Sequence, residues 1–236
     1  ETLQPFRLPD HTKLESLMSH VDDVIDGHVG FMVHQLERNG IEIAHGKACL
    51  TAPHEVAITA PNGSSRRVAA RHVVLAVGSR PRQPEGIPVD HEHVFDSDSI
   101  LSMTYLPRSL VVLGGGVVAS EYASIFAALG VHVTMIDRGN RPLGFLEQDL
   151  TDRFLRQIEA NGSTFVGEDR ARSVAWNGFD AVVTETMGGR HIESEKLLVA
   201  LGRVSAVDGL GLEAAGLTTD ERGLVPVNAH CQTAVP

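Results

Sequence analysis

Residues 109–138 read SLVVLGGGVVASEYASIFAALGVHVTMIDR. Residues 110–113 form a short apolar run with no turn residue inside, which predicts a strand buried on both faces. Three glycines follow at once, and residues 114–119 match the pattern G-x-G-x-x-A. Val118, Tyr122, Ile125 and Leu129 then recur at helical spacing, and Gly130 is a C-terminal stop. Residues 131–136 read as a second strand, ending in Asp137. The stretch is mostly apolar, but three adjacent glycines and Glu121 in its middle argue against a membrane-spanning helix.

Each part of this βαβ unit has a physical reason. Gly114 allows the tight turn from strand to helix. Gly116 has no Cβ, so a pyrophosphate can approach the backbone, and Ala119 is small enough for helix and strand to lie close. Phosphates then meet free amides at the positive end of the helix. Asp137 is placed to accept hydrogen bonds from a ribose diol. A bare glycine pattern is weak evidence. This one follows a strand, opens a helix and has an acid about twenty residues on, the context a dinucleotide site requires.

The composition is ordinary for a globular protein: 236 residues, 42% hydrophobic and 21% charged, enough for one large domain or two small ones. A formal net charge of −10 provides no basic excess to meet phosphates, so neither a nucleic-acid nor a membrane partner is expected. Cys49 and Cys231 are far apart and form no C-x-x-C, which fits idle thiols in a reducing, cytoplasmic compartment. The histidines are scattered, and His91-Glu92-His93 reads as a solvated loop rather than a metal site. The chain starts at Glu1 with no leader, and is expected to be cut from something longer.

Taken in order, residues 1–9 carry Pro5 and Pro9 and read as an extended lead-in. A long amphipathic helix follows, capped by Asp10 or Thr12 and stopped at Asn39-Gly40. Residues 41–48, 55–59 and a third segment around Val68 read as strands, with a turn at residues 61–64. Residues 73–77 (VVLAV) predict another buried strand, running into Gly78-Ser79-Arg80-Pro81. The main boundary is expected near residue 98, after a loop rich in Pro and Gly. Beyond the central unit, residues 147–160 are helical and residues 163–166 a strand. Three short strands lie around Val174, Val182 and Ile192, and residues 197–201 form a further buried strand before Gly202-Arg203. VVLAVGSR at 73–80 and LLVALGR at 197–203 echo each other, each after a β-meander, which suggests two related nucleotide-binding domains.

With these residues in view, the chain resembles the flavoprotein pyridine-nucleotide oxidoreductases, the family of dihydrolipoamide dehydrogenase, glutathione reductase and mercuric reductase. The match rests on Gly114-x-Gly116-x-x-Ala119-x-Glu121, on Ala76-Val77-Gly78-Ser79-Arg80-Pro81 and on Leu201-Gly202-Arg203. A narrower likeness, to the transhydrogenase branch, rests on residues 96–101, 121–126, 145–148 and 231–234. The resemblance implies an α/β fold: a Rossmann-like NAD(P)-binding domain with a three-stranded meander, plus an incomplete FAD-binding domain. The expected spans are 1–98 for the partial FAD domain, 99–218 for the NAD(P) domain and 219–236 for the returning FAD-domain segment. The family's first G-x-G-x-x-G, its Gly-Asp flavin segment and its dimerisation domain are not in this sequence. An isolated chain is therefore expected to carry no flavin, and a homo-oligomer is expected only through that further domain.

The resemblance implies that Gly114, Gly116, Val117 and Val118 cradle the dinucleotide's pyrophosphate, that Gly202 contacts the nucleotide and that Ala48 and Gly78 touch FAD. Glu121 would face the nicotinamide. The implied reaction is hydride transfer from NADPH to NAD through FAD, the flavin doing the redox chemistry. The alternatives are a dihydrolipoamide dehydrogenase or mercuric reductase relative, and a nucleotide-binding module without turnover. Asp137 favours NAD, while Ala119, Arg138 and Arg141 favour NADP, so binding of both with a modest NAD preference is expected.

Overall fold

The computed structural model describes residues 14–235. The chain begins with α1 (Leu14–Arg38), then β1 (Lys47–Ala52), β2 (Glu55–Thr59), β3 (Ser65–Ala69), β4 (Ser79–Pro81) and β5 (Val94–Asp96). The central stretch forms β6 (Ser109–Leu113), α2 (Val117–Ala128) and β7 (His132–Ile136), followed by α3 (Gln148–Ala160) and β8 (Thr164–Val166). Then come β9 (Ala171–Trp176), β10 (Val182–Thr186), β11 (His191–Ser194), β12 (Lys196–Val199) and β13 (Arg203–Ser205). The expected caps Asp10 and Thr12, and the lead-in through Pro5 and Pro9, lie outside the described residues.

The chain divides into two compact units. One holds Pro81–Gly202 with the N-terminal stretch to Asp22, and the other holds Asp23–Arg80 with the residues from Arg203 onward. The boundary expected near residue 98 falls inside the first unit, because β5, only three residues long, pairs in parallel with β12. That pairing spans about a hundred residues of sequence and has no local signature. The division passes through α1, whose Val24, Ile25, Val29, Phe31 and Met32 are all exposed.

Unit one is a five-stranded parallel sheet in the order β5-β12-β6-β7-β8. Its central strands carry unbroken apolar runs, residues 110–113 of β6 and 197–199 of β12, because both faces are covered. Leu110, Val112, Val133, Met135 and Leu198 pack with Ala119, Ala123, Phe126 and Ala127 of α2 and Ile158 of α3. Val111, Leu113, Ile136, Leu197 and Val199 pack with Val174 and Val182 of the antiparallel β9-β10-β11 meander. The inward face of α2 differs in part from the one its spacing predicts: Tyr122 and Leu129 do pack against the core. Ile125 is 50% exposed, while Ala119, Ala123, Phe126 and Ala127 are buried. An almost wholly apolar helix leaves the choice of face to shape, and alanines allow the closest approach to a strand.

The outer edge of this sheet is held by polar clamps. Asp90 Oδ1 accepts the N–H groups of Glu92, His93 and Val94. Burial alone would raise its pKa, but these amides outweigh it and hold the carboxyl at about 2. His93 stacks on Trp176 with ring centroids 3.7 Å apart, so this histidine of the His91-Glu92-His93 loop serves packing. Among the described residues no helix is long and apolar enough to cross a membrane.

Unit two contains the antiparallel meander β1-β2-β3 and the pair β4-β13. Residues 41–46, expected to begin the first strand, precede it instead, and β1 starts at Lys47. Leu50, Leu212, Ala215 and Leu217 make a small core, with Val73, Leu75, Val225 and Val235 against it. Residues 73–77 are not the buried strand that their composition predicts. Val74 is 87% exposed, and no backbone hydrogen bond between described residues involves positions 73–77. Among the described residues the apolar run has no neighbouring strand to pair with, and a strand is defined by such pairing.

Candidate functional site

The site is built on the end of β6. Gly114 has φ +119°, and a Cβ there would come within 2.5 Å of the Ala200 carbonyl oxygen just beyond β12. The fold itself therefore demands this glycine. Gly116 is different. Its φ of −80° suits any residue, and a Cβ there would meet nothing within 4 Å. The glycine leaves open the space above the start of α2, whose N-cap is Gly116 and which has no side-chain cap. The first amides of a helix lack partners inside it, so those of Val117 and Val118 point at that space. Val117 is 50% exposed and Ala119 fully buried. Ala119 is thus a packing residue, 3.5 Å from the Cβ position of Gly114.

The strand order places this loop at a switch point. From β6 the chain proceeds to β7 and β8 on one side, then returns through the meander to β12 on the other. Crevices at the carboxyl ends of such diverging strands are where open α/β sheets take ligands. Gly202 lies there, two residues beyond Ala200. It has φ +100°, open space around its Cβ position, and a carbonyl that accepts the Arg82 N–H.

Asp137 lies at the same end of the sheet. Its N–H donates to Val166 O at 3.0 Å, and its carbonyl accepts from Asp169 N at 3.1 Å. Its Oδ1 accepts the Gly139 N–H at 2.7 Å. Arg138 is exposed, with no hydrogen bond or ion pair among the described residues. Arg141, expected to be available for an anion, is turned back on its own loop. Its Nη2 donates to the carbonyls of Gly144 and Leu146. Glu121 sits one turn into α2, exposed, its carboxylate unpaired among the described residues. These residues are thus gathered at one end of unit one. Gly115 and Gly139, which contact Asp137, escaped the sequence reading, and the triple glycine was the signal present for the first.

Ala48 and Gly78 belong to unit two. Gly78, with φ +71°, lines a cavity of about 1140 Å³ walled by residues 71–78, 224–225, 227 and 231–235, among others. Ala48 is exposed on β1 opposite Ile58 and is not part of that wall. Arg203 donates from Nε to Ser79 Oγ and from Nη2 to Ser79 O, joining the two Gly-Arg echoes seen in the sequence.

This arrangement defines an open parallel α/β sheet with a glycine turn at its switch point. Residues 10–236 match the pyridine nucleotide-disulphide oxidoreductase family, and the chain belongs to it. It is 36% identical over 221 residues to a protein of Colwellia psychrerythraea named soluble pyridine nucleotide transhydrogenase, covering 94% of this chain and 47% of the relative. A protein of the same name from Aliivibrio fischeri is 35% identical, covering 95% of this chain and 48% of the relative. The chain thus spans about half the length of these relatives. Among solved structures, LpdA from Mycobacterium tuberculosis superposes with a TM-score of 0.89 at 24% identity, covering 95% of this chain and 50% of LpdA. The flavoprotein disulfide reductase RclA from Escherichia coli gives 0.86 at 22%, with 95% and 51% covered. Both share the fold.

Proposed function

We propose that unit one binds a nicotinamide dinucleotide, NAD or NADP, at the carboxyl end of its sheet. The pyrophosphate rests over Gly114, Gly116, Val117 and Val118. The adenosine ribose reaches Asp137 beside Arg138, and the nicotinamide end runs toward Gly202 and Glu121. The observation that carries this reading is Gly116, a glycine required neither by its backbone angles nor by any neighbour. Its missing Cβ is the room a phosphate needs above the helix N-terminus.

In the whole protein the proposed activity is hydride transfer from NADPH to NAD through FAD, as the relatives' name suggests. A bound flavin supplies the redox chemistry there. Residues of this chain hold the nucleotide and fix its orientation, with Glu121 free to meet the nicotinamide. Gly78, exposed on the cavity wall of unit two, fits a flavin contact. Ala48 supports that role less, being outside the wall. A cytoplasmic location and a homo-oligomeric whole protein belong to the same reading.

Calorimetric titration tests the binding. The chain is expected to bind NADH and NADPH, and Gly116→Val to lose both while melting at an unchanged temperature. Unchanged affinity in a folded Gly116→Val protein overturns the assignment. Hydride transfer from NADPH to an NAD analogue, assayed with FAD added, tests the activity.

A further inference from the structure

Gly115 and Gly139 stand on either side of the Asp137 side chain. A Cβ at Gly115 would lie 2.9 Å from Asp137 Cγ and 3.3 Å from Oδ1. A Cβ at Gly139 would lie 3.0 Å from the same Oδ1. Neither glycine has a positive φ, so neither is demanded by the backbone. The three atoms nearest such a Cβ at Gly115 all belong to the Asp137 side chain, and at Gly139 the Asp137 Oδ1 is nearest, with Arg141 O next at 3.4 Å. The slot is also closed from outside, because the Leu143 N–H donates to Gly115 O at 2.7 Å and draws the following loop onto the glycine turn.

The slot decides where the carboxylate points. Oδ1 is committed to the Gly139 N–H, which leaves Oδ2 without a hydrogen-bond partner among the described residues. A carboxylate held in this way presents one fixed acceptor to a ribose diol and a fixed negative charge to a 2′-phosphate. Of the two nearby arginines, Arg141 has its Nη2 turned to the Gly144 and Leu146 carbonyls, whereas Arg138 makes no hydrogen bond or ion pair among the described residues and is the better placed to offset that repulsion. Discrimination therefore depends on where the carboxylate is held as much as on its presence.

We infer that Gly115, with Gly139 opposite, is a positioning residue that sets the preference for NAD over NADP by fixing the Asp137 carboxylate. This rests on the dinucleotide reading of unit one. Adding a single methyl at position 115 displaces Cγ, which breaks the Oδ1 bond to Gly139 and moves Oδ2 off the diol. Losing a charge-assisted hydrogen bond corresponds to about a tenfold fall in NAD affinity. NADP affinity holds or rises, because the repelling charge swings away.

The test is a double-mutant cycle on the 236-residue chain, with NAD and NADP titrated into wild type, Gly115→Ala, Asp137→Ala and the double variant. Gly115→Ala is expected to lower the NAD-to-NADP affinity ratio about tenfold in the wild-type background. It should have no further effect on Asp137→Ala, where no Cγ remains to be displaced. A purely structural role would lower both affinities equally and persist in the Asp137→Ala background, and that result overturns the inference. An unchanged ratio in Gly115→Ala also overturns it, while leaving the dinucleotide reading intact. A wild-type chain that binds neither nucleotide removes both. Gly139→Ala, probing the slot from its other wall, is expected to give the same change in ratio and serves if Gly115→Ala does not fold.

Discussion

Residues 110–113 of unit one and residues 73–77 of unit two are nearly the same sequence, LVVL against VVLAV, and each runs into a glycine. The first is the middle of a five-stranded sheet, with Val112 fully buried. The second makes no backbone hydrogen bond among the described residues, and Val74 is 87% exposed. Composition alone cannot separate them. The difference lies in what arrives on either side: β7 and β12 flank the first run, and no strand among the described residues pairs with the second. A strand is a property of a pair, so an apolar run states a capacity that its neighbours must realise.

The largest expected contrast is in amide exchange. Protected amides open only with the unit's own unfolding, whereas unbonded ones exchange nearly as fast as in a free chain. Amides at 111–113 should exchange more than about a thousandfold slower than those at 74–77. Hydrogen-exchange mass spectrometry reads this directly, and equal protection would show that residues 73–77 do find partners in solution.

Next in size is the glycine that ends each run. Gly114→Ala drives a Cβ into the Ala200 carbonyl as well as straining the backbone, and should cost roughly 2–4 kcal/mol. Gly78→Ala meets nothing within 4 Å and suffers only from its φ of +71°, about 1–2 kcal/mol. Urea denaturation of both variants checks the order, and equal losses would mean that the end of β6 is as open as residue 78.

The smallest effect expected is acid sensitivity at the β5 edge of unit one. The Asp90 carboxyl titrates at about 2 in the fold, below its unfolded range. Its contribution is therefore complete above pH ~4 and fades as the pH falls toward ~2. Asp90→Asn should flatten the fall in melting temperature over that window. A variant that keeps the wild-type slope would assign the acid response to other carboxylates.

Much of unit one was legible because its signals are local. The run before Gly114, the helix after it, the short strands around Val174, Val182 and Ile192 and the stop at Gly130 each declare themselves within a few residues. Features set by distant partners were not. Val94–Asp96 becomes a strand only beside β12, the inward face of α2 is chosen by the sheet, and residues 73–77 find no strand partner among the described residues. In the candidate site the motif positions were readable, since spacing alone marks Gly114, Gly116 and Asp137. The commitment of Arg141 to Gly144 and Leu146, and the slot around Asp137, are matters of side-chain direction, which spacing does not encode.

The insertion of β12 between β5 and β6 also has a consequence for synthesis. Lys196 pairs with Leu110, and Glu195 bonds Ser109 across 86 residues of sequence. At roughly 5–20 residues per second, the β6 edge leaves the ribosome about 4–17 s before its partner. During that time β6, α2, β7, α3 and β8 can assemble one side of the sheet, while the other side of Val111 and Leu113 stays bare. The crevice between β6 and β12 is therefore the last part of the unit to close, and the nascent chain is most exposed to aggregation at the edge where the candidate site will later form.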